Sequence, residues 1–256
     1  MPISRREFVV RGTTAGAGLV IGLRLFAPPS ALSQENARAL RKREPNPFDA
    51  WVHVKPDGKI SLIVAKSEMG QGIRTGLAML LAEEAAVALN AVNVEQAETR
   101  PDIYAHLGTG GSSSTREGFM PLRRAGGTVR ELMITAAAAK WSVPQNECQA
   151  KGGTVLHAKS SRRASYGELI GAAAKLPLPD PEKVPLKSEK DFELIGHPVP
   201  RVDVPAKVNG GAQFGLDVRV PGMLFAVVAR CPTFGGKAAH FDAATAKAVP
   251  GVRDVF

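Results

Sequence analysis

The chain has 256 residues, 44% of them hydrophobic and 22% charged, with a formal net charge of +9, enough apolar material for a core in one or two domains. The basic excess is spread over Arg38 to Arg43, Arg123-Arg124, Arg162-Arg163 and the lysines of 183–190, with only 5% aromatic residues, so it reads as a solvated surface with no nucleic-acid partner. Cys148 and Cys231 are far apart and in no C-x-x-C arrangement, and the five histidines fall at no ligand spacing, which excludes an iron-sulfur cluster or zinc site built from these residues. An oxidising compartment would permit a disulfide between the two cysteines, and two buried thiols fit equally well.

In chain order, Ser4-Arg5-Arg6-Glu7-Phe8-Val9 precedes an acid-free Gly, Ala, Leu, Val and Ile run from Gly12 to Phe26. This is the pattern of a twin-arginine export signal over residues 1–33, with Ala31-Leu32-Ser33 as a small-x-small cleavage site. The apolar run is too short and too glycine-rich for a stable membrane anchor. The expected location is a bacterial periplasm, reached by a pathway that carries folded cargo. Residues 34–48 read as a linker.

Trp51 to Val54 and Ile60 to Val64 are β-prone runs joined by the turn Lys55-Pro56-Asp57-Gly58-Lys59, a hairpin signature. The loop Glu68-Met69-Gly70-Gln71-Gly72 follows, then a helix over Thr75 to Leu89 with Leu77, Leu80, Leu81, Ala85 and Ala88 on one face and Glu83-Glu84 on its flank. Val92 to Gln96 reads as a strand. Gly108-Thr109-Gly110-Gly111-Ser112-Ser113-Ser114-Thr115 leads into a second helical run, roughly Pro121 to Lys140. Ser165-x-x-Glu168 is a capping box opening a short helix. The four-proline stretch 176–190 reads as the domain boundary, with strands expected over 214–220, 224–228 and 252–256 and a helix over 238–249.

Both glycine loops end an extended stretch and open a helix, where unpaired N–H groups and the positive end of the macrodipole favour an anion. Gly70, Gly72, Gly110 and Gly111 permit close backbone approach and positive φ; Gln71 adds a donor and an acceptor, and Ser112, Ser113, Ser114 and Thr115 add hydroxyls. Such residues suit a polar, phosphate-bearing heterocycle, although turn glycines and an N-cap cluster would account for them as well.

The sequence EMGQG, a helix, a strand and then GTGGSSST before a second helix resemble the molybdopterin-binding segment of the xanthine dehydrogenase and aldehyde oxidase family. The leader, together with Arg201 to Lys237, resembles the isoquinoline 1-oxidoreductase type of large subunit within it. The resemblance implies an α+β fold: a molybdopterin-binding segment over 49–175, then the start of an α/β hammerhead domain over 191–256. It implies that Gly70-Gln71-Gly72 contacts the pterin and that Gly110 to Thr115 cradles the pyrophosphate of molybdopterin cytosine dinucleotide. It also implies a small [2Fe-2S] subunit as partner and a c-type cytochrome as a possible acceptor. The implied reaction oxidises an aldehyde or hydroxylates an N-heterocycle, with water as oxygen source. The family's glutamate base lies near its members' C-termini, so no catalytic residue is assigned here; Glu68 and Glu117 read as loop and helix-start carboxylates. On this reading the chain is the N-terminal part of a larger enzyme and is inactive alone. The alternatives are a non-catalytic periplasmic pterin- or partner-binding module, including a degenerate remnant, and a general secreted ligand-binding domain.

Overall fold

The structure is a computed structural model that describes residues 19–23, 50–64, 66–98 and 108–256, with backbone alone for 19–23, 50 and 51. It divides into two compact units, 1–211 and 212–256.

The first unit is an α+β assembly. Strands β1 (Leu19–Leu23), β2 (Ala50–Val54), β3 (Ile60–Val64) and β4 (Val92–Gln96) form one sheet in chain order, antiparallel except for the parallel pair β3/β4. The expected hairpin is present: Val54 pairs with Ile60, Asp57 Oδ1 accepts from Lys59 N at 3.0 Å, and Gly58 takes a φ of 81°. β1 lies inside the stretch read as an export leader; the rest of that leader and the 34–48 linker fall outside the described residues.

β3 and β4 are parallel because helix α1 (Ile73–Ala85) carries the chain across between them. α1 ends four residues before the expected Leu89, at Ala86 in a left-handed conformation, and leaves Ala88 exposed. α2 (Ser114–Trp141) is longer than expected. It starts in the serine cluster and runs through Pro121, which forfeits its own N–H bond while the rest of the helix is held by packing. α2 lies close on α1 because Gly126 faces it: a Cβ there would sit 2.4 Å from the Leu81 carbonyl oxygen and 2.8 Å from Ala85 N. Leu77, Leu81, Leu122, Val129 and Met133 fill the contact, continuous with Val52, Ile60 and Leu62 of the sheet.

A second sheet, β5 (Cys148–Lys151), β6 (Thr154–His157) and β7 (Arg162–Ser165), is an antiparallel meander. It leads into α3 (Tyr166–Ala173) through the capping box: Glu168 N donates to Ser165 Oγ at 3.3 Å and Ser165 N to Glu168 Oε2 at 2.7 Å. Buried Tyr166 donates its hydroxyl to the Ala85 carbonyl at 2.7 Å, satisfying the end of α1.

Five further expectations are corrected. Glu83 and Glu84 are buried rather than flanking, and Arg123 is buried rather than solvated. Glu84 pairs with Arg123 at 2.8 Å and Arg130 at 3.1 Å, while Glu83 Oε2 accepts from the backbone N–H groups of Glu193, Leu194 and Ile195. The 176–190 stretch is therefore a strap bound to α1 and α2, and the division between units falls beyond it, after Gly211. Cys148 is buried and Cys231 exposed, both as free thiols, so they form neither a disulfide nor two buried thiols. In the second unit the expected strands are not formed; it holds a 3-10 turn at Gly215–Asp217 and one short helix, α5 (Ala244–Lys247). Its apolar side chains, Phe225 and Val227 among them, lie open, and short strands lacking neighbours to pair with are marginal at best.

Candidate cofactor site

The first glycine loop joins β3 to α1. Gly70 and Gly72 have φ of 105° and 85°, a conformation that favours glycine, and an added Cβ at either would meet no atom of the described residues within 4 Å. Gln71 folds back on the loop: its Oε1 accepts from Met69 N at 2.6 Å and its Nε2 donates to the Ser67 carbonyl at 3.1 Å.

The anion expected at this helix start is supplied by the chain itself. Glu68 Oε1 accepts from Gly70 N at 2.8 Å and Gly72 N at 2.9 Å, and Oε2 accepts from Arg74 N at 3.2 Å. Burial alone would raise the Glu68 pKa, but these three N–H groups and the Arg201 guanidinium outweigh it and hold the carboxyl below the usual range. An external anion at the start of α1 would meet a carboxylate in its place. Of the two anion-favouring helix starts read from the sequence, the first is thus occupied by Glu68.

The second loop opens α2. Gly111 and Ser112 take left-handed φ of 63° and 51°, followed by right-handed Ser113 at the N-cap, a succession that turns neighbouring N–H groups to one side. Ser113 makes no side-chain capping bond; Gly72 at the start of α1 makes none either, but there Glu68 accepts from the first N–H groups. Gly110 has no positive φ, and among the described residues a Cβ there or at Gly108 would meet nothing within 4 Å. Ser114 is buried, whereas Gly110, Gly111, Ser112 and Thr115 include the most exposed part of the loop. Glu117 lies in the first turn of α2.

The structure brings the two loops side by side through residues that sequence reasoning missed. Thr109 Oγ1 accepts from Ser67 N at 2.8 Å and donates to the Ser67 carbonyl at 3.1 Å, and Lys66 Nζ donates to the Gly108 carbonyl at 2.9 Å. A hydroxyl between two loop glycines was the available signal for Thr109. No local signal marks Arg201, which donates from Nη1 to the Gly70 carbonyl at 2.7 Å and from Nη2 to Glu68 Oε1 at 3.3 Å across 131 residues or more of sequence.

These features fit an extended ligand with one anionic part: open glycines on both loops for close approach, an uncapped eight-turn helix start beside hydroxyls, and a self-neutralised start opposite. Among the described residues there is no group of three or more His, Cys, Asp or Glu side chains able to hold a metal ion. Two further cavities, of about 420 and 330 Å³, lie against the β5–β7 face and between α2 and the strap, away from both loops.

The chain belongs to a known class: the molybdopterin cofactor-binding domain family matches residues 7–218. Among its relatives is isoquinoline 1-oxidoreductase subunit beta of Brevundimonas diminuta, 32% identical over 99% of this chain and 36% of that protein. The membrane-bound aldehyde dehydrogenase [pyrroloquinoline-quinone] of Gluconacetobacter polyoxogenes is 31% identical over 97% of this chain and 32% of its own length. Among solved structures, quinoline 2-oxidoreductase from Pseudomonas putida 86 is 24% identical, with a TM-score of 0.42 over 51% of this chain and 17% of that one. The chain spans about a third of the length of the two curated relatives.

Proposed function

We propose that the chain supplies part of the cofactor site of a molybdenum-dependent oxidoreductase that oxidises aldehydes or hydroxylates N-heterocycles with water as oxygen source. Family membership supports the cofactor class, and the names of the relatives, isoquinoline 1-oxidoreductase and aldehyde dehydrogenase, support the substrate classes. When bound, the molybdenum cofactor supplies the redox centre at which substrate is oxidised. In this assignment Gly70-Gln71-Gly72 faces the uncharged pterin, and Gly110, Gly111, Ser112, Ser113, Ser114 and Thr115 hold the pyrophosphate of the cytosine dinucleotide form at the start of α2. The observation that carries it is the contrast between the two helix starts: Glu68 fills one, and the other has no side-chain cap and lies behind open glycines.

Electrons leaving the cofactor require a relay, assigned to a small [2Fe-2S] subunit and a c-type cytochrome. The arginine pair Arg5-Arg6 supports export to the periplasm by the twin-arginine route. Replacing both by lysine is expected to leave the protein in the cytoplasm; unchanged export would discard that assignment.

Gly110→Ala tests the site itself. The added methyl meets no atom of the described residues, so the unfolding midpoint is expected to stay within about 0.5 kcal/mol of the parent's. Molybdenum and cytidine nucleotide per chain, measured by mass spectrometry on protein purified from its own host, are expected to fall sharply. Full cofactor content in this variant would refute the assignment of the second loop.

A further inference from the structure

The geometry points to Arg201 as the positioning residue for the Gly70-Gln71-Gly72 loop, an inference that rests on the cofactor reading above. Gln71 stands between two glycines at positive φ, so the backbone on either side of it resists distortion weakly. Among the described residues, its side chain is tied only to the loop's own backbone, at Met69 N and the Ser67 carbonyl, and these bonds move with the loop. Thr109 holds the loop where it begins, at Ser67, and the guanidinium holds its glycine part from the far end of the returning chain. Nη1 of Arg201 holds the Gly70 carbonyl at 2.7 Å, and Nη2 reaches Glu68 Oε1, the same oxygen that accepts from Gly70 N and Gly72 N.

The guanidinium is itself held in a fork. Arg201 Nε donates to Asp203 Oδ1 at 3.0 Å and Nη2 to Oδ2 at 2.8 Å, and Lys207 of α4 (Val204–Val208) binds the same carboxylate. Asp203 is thereby kept far below the ordinary carboxylate range, first by Arg201 and then by Lys207. A planar fork can serve Asp203, Glu68 and the Gly70 carbonyl at once, whereas an ammonium on a flexible stem cannot.

The route by which residue 201 reaches the loop is also built into the fold. The returning chain is bound at the C-terminal end of α1 by Glu83 and Glu84, through the backbone of Lys187, Glu193, Leu194 and Ile195. It is bound again at the N-terminal end, where Val202 N donates to Thr75 Oγ1 at 3.1 Å. Segment 187–203 thus runs back along α1 and delivers Arg201 to the loop that opens that helix.

The test compares hydrogen exchange and pterin content in the parent protein from its own host with Arg201→Met and Arg201→Lys. In Arg201→Met, amides of residues 68–74 are expected to exchange about tenfold faster, with the α1 core at Leu77 to Leu81 unchanged. Pterin per chain is expected to fall severalfold in protein whose α1 core stays protected, which separates positioning from general destabilisation. Arg201→Lys keeps a charge beside Glu68 but is expected not to restore pterin content. Unchanged exchange over 68–74 in a pterin-bearing parent overturns the inference alone, as does faster exchange with full pterin content. A parent without pterin overturns the cofactor reading, and with it the proposed consequence for retention.

Discussion

Glu83 and Glu84 sit in the last turn of α1, where the macrodipole disfavours negative charge, and both are buried. Such a placement persists only if each oxygen is satisfied, and each is: Glu84 by Arg123, Arg130 and Lys187 N, Glu83 by Lys187 Nζ and three backbone N–H groups. Glu84→Ala would take this buried carboxylate from two nearly buried guanidinium groups, Arg130 keeping Glu131 at 3.5 Å, and is expected to cost about 3 kcal/mol, read from the urea midpoint at constant slope. Glu182→Ala, which removes the exposed partner of Arg124, is expected to cost under about 1 kcal/mol. Burial alone would raise the Glu83 pKa, but the Lys187 ammonium and the N–H groups of Leu194 and Ile195 hold it below the ordinary value. A carboxyl lowered by folding stabilises the native state above its unfolded pKa, and that stabilisation is lost as pH falls through the folded value. The urea midpoint should therefore drop on acidification below about pH 4.3, and Glu83→Gln should flatten that dependence. The sequence placed both glutamates on a helix but not in the interior, because their partners lie 39 to 112 residues further on. The clash with the helix dipole was the one local sign that something must compensate.

Local chemistry made several elements legible: the Pro-Asp-Gly turn fixes its hairpin and Ser165-x-x-Glu168 its helix start, because donors and acceptors lie within four residues of each other. Packing decided the rest. The start of α2 lay hidden behind Pro121, normally a first-turn residue, and its contact with α1 depends on Gly126, whose need appears only when two backbones meet. Gly126→Ala is expected to destabilise by about 1–3 kcal/mol through overpacking. Gly76→Ala, inside α1 where a Cβ meets nothing and φ is not positive, is expected to stabilise by about 0.5–1 kcal/mol. Thermal midpoints moving in opposite directions would bear out the close helix crossing; a neutral Gly126→Ala would contradict it. Of the candidate site, the glycines and hydroxyls were legible because they are consecutive. The closing of one helix start by Glu68 was not, since it depends on how the loop turns.

At the scale of the whole chain, the two units contrast in how their backbone is satisfied. In the first, strand ladders, long helices and a continuous apolar cluster protect the amides. In the second, nearly every residue is exposed, and its apolar residues sit at the alternating spacing of strands, Leu216, Val218 and Val220 for example, without forming a ladder. Pattern reading took that spacing for strands, but a strand exists only where a neighbour receives its hydrogen bonds, and the pattern is silent on the neighbour. Opening such a segment breaks few buried contacts, so its local unfolding free energy should be near zero while α2 opens only with the whole unit. Limited trypsin digestion is expected to cut first after Arg219, Arg230, Lys237, Lys247 and Arg253, all in the second unit. Cleavage after Arg123, Arg130 or Lys140 of α2 should wait for global unfolding and follow the urea curve. Early cuts in α2, or second-unit sites as resistant as these, would show that protection does not follow the described burial. The same digest on protein bound to a partner chain would report pairing directly, because strands that gain a ladder lose their susceptibility while the α2 sites stay as they were.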